Sequence, residues 1–495
     1  MSETTKKAVS PEKVWTLLAA ITLIYGLVLT ALHLGDNSFF DALWTYGLWS
    51  IINNPAILPL DYIAMGGIGP AFVNSGIVGF VILGAFKFAK LPISGPQMGV
   101  LGLAMGFSFM GKNFLNILPI LLGALLYSAF TKAKDAGLRD TYKNHVTMAG
   151  FSTCLAPVIT QPAFIPQFNA ADHRIFGVLI GVLLGLGIGF FINAMAVFIR
   201  KSHEGLNLYN IGWGAGLFAT ALTAVYASFG VVNFFGDAPN RNLGQYMQSV
   251  YGYNVMDAYG NYVQFSPVGY YNWEIYGYVI FISIFFILMG FLSGAKGSDI
   301  KESLYLKAGD SKFINNFFAK YGAGKTYLAM GLLGIMILVV TLPLGINMNG
   351  PILGAIVSVV GWGGFGKAVA NAAAIGAGVV LAGIVRYFIW PEHAQWAGAD
   401  QNLLYYLRTQ PVIWTSALWG MCLSPMARFF GWKWAIAVGM LHFTFAATIA
   451  FFHWGQNLYN NGMAAGLVCL VMIPVIRALD KKGKYSMDKV YPDPS

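Results

Sequence analysis

Two lysines lie inside apolar sequence, each at the same distance from a glycine and an asparagine. Lys112 and Lys367 follow a glycine and precede Asn116 and Asn371 by four residues, in the pattern GK-x-x-x-N, and these two asparagines are candidate substrate-binding residues. Charged side chains inside a membrane-like segment are costly and usually functional, so the pair could attract an anionic substrate or take the place of a sodium ion. The alternative is that each lysine ends a short helix and extends to the lipid headgroups. In the predicted topology the two lysines emerge on opposite faces of the membrane, which favours this alternative.

A second pair of polar motifs precedes two apolar segments that lie far apart in the chain. LNLYNIGWGAGL at 206–217 matches QNLYNNGMAAGL at 456–467, with eight identities in the eleven positions from Asn207. Asn is a good residue for capping a helix, so capping and packing explain part of the motif. Contact with a substrate or a gate is the other interpretation. The candidate residues are Asn207, Tyr209, Asn210, Asn457, Tyr459 and Asn460.

A third pair of segments, KLPISGPQMG and LPLGINMNGP, combines extended sequence with a signal for helix initiation. Pro92 and Pro343 disfavour helix immediately before themselves, and the later Gly-Pro suits the first turn of a helix. We therefore expect two broken helices whose N-termini offer free N–H groups and partial positive charge to a substrate. The alternative is a loop between two complete spans. The candidate substrate-binding residues are Ser94, Gly95, Pro96, Asn347, Asn349, Gly350 and Pro351.

Composition indicates that these motifs belong to a polytopic membrane protein. The 495 residues are 57% hydrophobic and only 10% charged, whereas soluble domains are nearer 25% charged. At about 20 apolar residues per span, the chain has room for many spans. We predict an all-α protein with about fourteen transmembrane helices, and a shorter interfacial or re-entrant helix at 41–54. The predicted spans are 14–34, 62–86, 91–111, 113–131, 146–163, 174–199, 206–235, 273–293, 326–344, 346–366, 367–390, 409–427, 434–453 and 457–477.

The distribution of basic residues predicts the orientation of the spans. With both termini cytoplasmic, fourteen spans place 25 of the 30 Lys and Arg residues on the cytoplasmic side, as the positive-inside rule requires. We expect a multi-pass protein of a bacterial-type inner membrane, with the lipid bilayer and a small-molecule solute as its partners. The net charge of +10 contains no basic run long enough for nucleic-acid binding.

Self-comparison of the chain predicts two related halves. At an offset of 255, the segment that begins at Ser94 aligns with the segment that begins at Asn349, and glycine, proline, lysine and asparagine positions coincide. The predicted repeats are 1–240 and 241–495, with an external loop at 236–272 and a basic cytoplasmic loop at 294–325. Because seven spans per half is an odd number, the halves are inverted, an architecture typical of secondary transporters.

The chain resembles two groups of membrane proteins. The extended segment, Gly-Pro and short helix in the third span of each half are similar to those of the sulfate-permease and nucleobase-permease class. This resemblance implies that the third and tenth spans are half-helices whose N-termini face each other around the substrate, and that part of the bundle moves as an elevator. The acidic residues that nucleobase permeases use have no evident counterpart here. The motifs GPxxG, FGK and NLYNxGxxAGL resemble an uncharacterised family of bacterial multi-spanning membrane proteins.

These features favour a secondary transporter for a small polar or anionic solute, working by alternating access between the two repeats. The alternative is a channel-like facilitator of a small neutral solute such as urea or ammonium. We expect no enzyme activity, because no cluster of catalytic side chains is evident, and no cofactor or metal. The coupling ion and a homo-oligomeric assembly stay open. Cys154, Cys422 and Cys469 predict no disulfide, and His442 is interpreted as a packed core residue.

Overall fold

The computed structural model describes residues 8–58, 60–165, 173–231, 272–306, 316–389 and 402–480, and all regular elements within these ranges are helices. The predicted external loop at 236–272 lies outside the described residues except for its last residue. The helices up to residue 231 are α1 (Pro11–Leu32), α2 (Trp49–Ile52, continuing a π-helical turn at Asp41–Leu48), α3 (Tyr62–Gly66), α4 (Ile68–Phe88), α5 (Gly95–Phe107), α6 (Leu118–Thr131), α7 (Leu138–Ser152), α8 (Ala156–Thr160), α9 (Arg174–Ser202) and α10 (Asn210–Ser228).

The helices after residue 271 follow in a closely similar order. They are α11 (Asn272–Leu292), α12 (Asp299–Leu304), α13 (Phe317–Leu344), α14 (Gly350–Gly361), α15 (Val369–Ile389), α16 (Leu403–Thr409), α17 (Pro411–Gly420), α18 (Ser424–Phe430), α19 (Trp432–Thr448) and α20 (Asn460–Ala478). The predicted basic loop at 294–325 contains α12 and the first turns of α13, and its residues 307–315 lie outside the described part. The interfacial or re-entrant segment predicted at 41–54 is helical from Asp41 to Ile52.

Nine helices in the described part of the chain are long and apolar enough to cross a membrane. They are α1, α4, α9, α10, α11, α13, α15, α19 (extended to His453 by a 3₁₀ turn) and α20. The segments predicted as spans three, four, five, ten and twelve form shorter helices. The fifth and twelfth consist of two helices joined by a 3₁₀ turn, Thr153–Leu155 in one and Met421–Leu423 in the other.

Helices α5 and α14 are short because the residues before and after them prevent the helix from extending. Each begins after an extended residue, Ser94 or Asn349, and carries proline in its first turn. Each is followed by a glycine with positive φ, Gly111 at 139° and Gly366 at 112°, a conformation that other residues rarely adopt. The next backbone N–H then donates back to the helix, from Lys112 to the Phe107 carbonyl at 3.0 Å. The expected short helices in the third and tenth segments are therefore present.

Helices α5 and α14 run antiparallel and side by side through the core. A Cβ added at Gly106 would lie 2.3 Å from the Gly354 carbonyl oxygen, and one added at Gly102 would lie 2.7 Å from the Cα of Gly361. Both distances are well below van der Waals contact, so the two backbones touch directly through glycine. This close packing leaves no space for a solute between the two helices.

Helices α10 and α20 meet at their first turns. A Cβ at Gly462 would lie 2.8 Å from the Cα of Gly212, and a Cβ at Gly466 would lie 2.3 Å from the Trp213 ring. The contact is therefore made by the glycines of the NLYN motifs, as expected for close helix packing. It brings the starts of two long apolar helices together inside the protein.

Candidate functional site

Both lysines of the GK-x-x-x-N motifs point into the protein. Lys112 and Lys367 are each 0% exposed, so the interpretation that they extend to lipid headgroups is wrong. The Nζ of Lys367 donates to the Tyr209 hydroxyl at 2.5 Å and lies 4.5 Å from the centre of its ring. The Nζ of Lys112 lies 5.1 Å from the centre of the Phe107 ring and has no hydrogen-bond partner in the described part of the chain.

The asparagine of each motif fixes the turn that presents the lysine. Asn116 donates to the Gly111 carbonyl at 3.1 Å, and its Oδ1 accepts the backbone N–H of Asn113 at 2.9 Å. A further contact joins Asn116 Nδ2 to the Thr160 hydroxyl at 3.2 Å. The spacing of four residues between lysine and asparagine is therefore the length of the turn that these bonds close.

The second motif repeats the same bonds. Asn371 donates to the Gly366 carbonyl at 3.1 Å and accepts the backbone N–H of Ala368 at 2.8 Å. Asn116 and Asn371, which were predicted to bind a substrate, have these backbone groups as partners. Their place in the site is to hold Lys112 and Lys367 in position.

The two tyrosines of the NLYN motifs lie against each other at the centre of the protein. The rings of Tyr209 and Tyr459 are 4.5 Å apart, and both residues are almost fully buried. Trp362 lies 4.9 Å from Tyr209, and Phe107 lies 5.3 Å from Tyr459, measured between ring centres. Trp362 directly follows α14, and Phe107 is the last residue of α5. Aromatic side chains at the ends of these two helices therefore enclose the tyrosine pair.

The tyrosines occupy the positions that immediately precede α10 and α20. Neither Tyr209 nor Tyr459 caps its helix with its side chain. A helix N-terminus carries a partial positive charge and N–H groups that favour anions. Two such ends and two buried lysines therefore give this region a strong preference for negative charge.

The first asparagine of each NLYN motif crosses to the other motif. Asn207 donates to the Gly462 carbonyl at 2.9 Å, and Asn457 donates to the Gly212 carbonyl at 3.1 Å. The Oδ1 atoms of these two asparagines accept the backbone N–H of Tyr209 and Tyr459. These bonds lock the two helix starts together.

The last asparagine of each motif binds a histidine. Asn210 pairs with His203 at 2.8 Å, and Asn460 pairs with His453 at 3.0 Å. Both asparagines also donate to the backbone of the preceding long helix. Four of the six predicted NLYN residues thus have structural partners, which leaves the two tyrosines as candidates for solute contact.

The Gly-Pro segments lie at opposite ends of the antiparallel pair formed by α5 and α14. This arrangement differs from the facing N-termini that the resemblance to the permease class implies. The N–H of Gly95 donates to Asn316 at 3.1 Å, and the N–H of Gly350 donates to the Asp61 carboxylate at 3.2 Å. Each helix start is therefore capped by a side chain of the other half of the chain. The structure does not bring the two segments to one site.

The other predicted polar residues of these segments form hydrogen bonds within the protein. The Ser94 hydroxyl donates to Gln97, Asn349 caps α14 through the N–H of Ile352, and the N–H of Asn347 donates to the Arg408 carbonyl. Pro96 and Pro351 occupy the first turns of α5 and α14, as expected.

Two of the three cysteines lie beside the lysines. Cys154 is close enough to interact electrostatically with both Lys112 and Tyr459, and Cys422 interacts in the same way with Lys367. All three cysteines are buried and free, as expected. No group of three or more metal-binding side chains occurs among the described residues. His442 is fully buried and pairs with Asn461 at 3.0 Å, as expected of a hydrogen-bonded core histidine.

Sequence reasoning missed several residues that the same self-comparison could have found. Asp61 and Asn316 are 255 positions apart, the offset that relates the Gly-Pro segments. Asp61 caps α14 in the second half of the chain, and Asn316 caps α5 in the first half. His203 and His453 are 250 apart, the offset of the NLYN motifs. The pattern H-x-G-x-N, from His203 to Asn207 and from His453 to Asn457, is the signal in the sequence that relates these two histidines.

The fold and its buried polar centre define a class: a multi-helix protein with the apolar helices of a membrane-embedded, multi-pass chain. A family model described as "Protein of unknown function (DUF1576)" matches residues 42–228 and 296–478. These two segments make up most of the chain, which therefore belongs to this family, and the expected uncharacterised family is confirmed. The comparisons with curated proteins and with solved structures found no similar protein.

Proposed function

We propose that this protein is a secondary transporter of a small anionic solute, working by alternating access. The observation that carries the proposal is the meeting of two helix starts without side-chain caps beside two fully buried lysines. A buried ammonium group costs several kcal/mol unless an opposite charge or hydrogen bonds compensate it. Such a centre is retained at this cost when it binds something, and its charge selects an anion.

The proposed transport cycle rests on two inverted repeats of seven spans. The order of the helices before residue 232 and after residue 271 supports this, because equivalent segments follow in the same order, including the short Gly-Pro helices α5 and α14 and the final helices α10 and α20. The two segments that match the family model are nearly equal in length. The reciprocal bonds of Asn207 and Asn457 relate the halves to each other at the centre. Two halves of opposite orientation can exchange conformations, which opens the centre to one side and then to the other.

The proposed topology has fourteen spans in a bacterial-type inner membrane, with both termini in the cytoplasm. The five short helical segments complete the set of spans because extended residues or 3₁₀ turns lengthen them. The distribution of lysine and arginine supports the orientation. An elevator-type movement of part of the bundle is compatible with this topology.

Counterflow in proteoliposomes tests the proposal. The purified protein is reconstituted with an excess of unlabelled chloride, formate or acetate inside, and uptake of the same labelled anion is followed. We expect saturable uptake that the internal anion accelerates. Flux that does not saturate and shows no counterflow would favour a channel-like facilitator. Absence of protein-dependent flux for every anion would refute the anionic solute.

A further inference from the structure

The two lysine–tyrosine pairs are equivalent in sequence but differ in their contacts. Lys367 is hydrogen-bonded to Tyr209 at 2.5 Å. In the equivalent pair, neither Lys112 Nζ nor the Tyr459 hydroxyl has a hydrogen-bond partner among the residues that the structure describes, although both atoms are buried. Each pair joins a lysine of one half to a tyrosine of the other, and the bond is formed in one pair and open in the other.

The segments that carry Lys112 and Tyr459 are in direct contact in the core. Lys112 Nζ lies 5.1 Å from the centre of the Phe107 ring, and the Tyr459 ring lies 5.3 Å from it, measured between ring centres. A Cβ added at Gly111, the residue before Lys112, would lie 2.7 Å from the side chain of Leu458, the residue before Tyr459. The indole N–H of Trp362 approaches the Tyr459 hydroxyl without forming a standard hydrogen bond, and it has no other partner among the described residues. An ammonium, a hydroxyl and an indole N–H, all buried, thus have no acceptor within the described part of the chain.

We infer that Lys112 and Tyr459 form the binding site for a small anion of single charge in this conformation, and that Lys367–Tyr209 is the same site in its closed, solute-free form. This inference rests on the proposed function and specifies the ligand and which of the two lysine–tyrosine pairs holds it. An anion with one negative charge matches the single ammonium. The complete burial of the surrounding side chains requires that the anion be small.

The difference between the pairs also gives a rule for the transport cycle. When the two halves exchange conformations, Lys112 bonds to Tyr459 and Lys367 releases Tyr209. The lysine that closes onto its tyrosine displaces the anion, because the hydroxyl and the anion compete for the same ammonium. Only one of the two sites is therefore open to an anion at a time.

Thermal unfolding of the full-length protein in detergent tests this assignment. The buffer contains sodium gluconate, which is replaced stepwise by sodium chloride or sodium formate at constant ionic strength. A ligand that binds only the folded state stabilises it by RT ln(1 + [L]/Kd), so the unfolding temperature begins to rise near Kd and then rises with the logarithm of the anion concentration. We expect Lys112→Gln and Tyr459→Phe to weaken the apparent anion affinity at least tenfold. Lys367→Gln is expected to weaken it far less, and Lys87→Gln, at an exposed lysine near the end of α4, serves as the charge-matched control.

The outcomes separate this inference from the proposed function. Equal weakening by Lys112→Gln and Lys367→Gln would overturn the assignment to one of the two pairs, while saturable counterflow of the wild type would leave the transporter proposal standing. Stabilisation that is unaffected by Lys112→Gln and Tyr459→Phe would place the anion elsewhere and overturn the inference. Absence of both stabilisation and counterflow in the wild type would overturn both. Sulfate stabilises folded proteins generally, so only stabilisation by sulfate that exceeds that by chloride and is lost in Lys112→Gln would contradict the single charge.

Discussion

The contrast between the two lysine–tyrosine pairs leads to a prediction about stability. Tyr209→Phe removes the hydroxyl that accepts Lys367 Nζ at 2.5 Å and keeps the ring that packs at 4.5 Å from Tyr459. A hydrogen bond to a charged group contributes about 1.5–3 kcal/mol, and the loss leaves a buried amine without a partner. We therefore expect Tyr209→Phe to lower the free energy of unfolding by about 2–3 kcal/mol.

The chain supplies a matched control for this substitution. Tyr459→Phe removes a buried hydroxyl that has no hydrogen-bond partner in the described part of the chain, so it should be neutral or should raise the free energy of unfolding, by up to about 1–3 kcal/mol. The assay is unfolding in detergent followed by tryptophan fluorescence, in gluconate buffer that contains no small anion. In a Lys367→Met background, Tyr209→Phe should cost little, because the two substitutions share one interaction.

Two results would refute this reasoning. Equal destabilisation by Tyr209→Phe and Tyr459→Phe would show that both hydroxyls have similar partners. A full effect of Tyr209→Phe in the Lys367→Met background would show that the tyrosine hydroxyl contributes to stability independently of the lysine.

Three further predictions concern a close glycine contact, a helix cap and an ion pair. Gly102→Ala should destabilise the protein by about 1–3 kcal/mol, because the new Cβ would lie 2.7 Å from the facing helix. Gly84→Ala in α4 meets open space and should be neutral or stabilising. Unfolding in detergent compares the two variants, and equal effects would contradict the close contact. Asp61→Ala should cost about 1–2 kcal/mol in the same assay and Asp61→Asn much less, because asparagine still accepts the backbone N–H at the start of α14. Arg477→Gln should cost about 1–2 kcal/mol at low salt, since Arg477 binds Glu204 in a bidentate ion pair at 2.8 and 2.6 Å, and a salt-independent effect would contradict this origin.

Much of the helical framework could be predicted from the sequence, because apolar length and punctuation by glycine and proline determine it. The short helices after Gly95 and Gly350 follow from proline in the first turn and an extended residue before it. Helix boundaries are hardest to predict where two short helices meet at a 3₁₀ turn. At Thr153–Leu155 such a turn separates α7 from α8 within one predicted span.

The candidate site could be predicted only in part, because it depends on which helix ends meet. Both Gly-Pro and NLYN segments have sequences suited to a helix start at the centre. Helix starts at Gly95 and Gly350 are separated and capped by partners far away in the sequence, and those at Asn210 and Asn460 meet. Pairing of this kind is decided by packing across the two halves, which one sequence does not reveal.

The direction of the Lys112 and Lys367 side chains also depends on the fold. The sequence identified Lys112 and Lys367 as unusual but favoured extension to the headgroups, because a lysine at a helix end usually reaches water. The glycine with positive φ before each lysine turns the chain back toward the helix, and the asparagine four residues later holds that turn. Both residues are visible in the sequence, but their effect on the direction of the side chain appears only in the fold.

Anomalous diffraction from crystals grown in sodium bromide tests the central claim most directly. Bromide is a small anion of single charge, and its anomalous signal reports its position independently of the protein density. We expect one strong peak within hydrogen-bond distance of Lys112 Nζ and the Tyr459 hydroxyl, and no such peak in crystals of Lys112→Gln. A peak at the start of α5 or α14, with none beside Lys112 or Lys367, would contradict the proposed site.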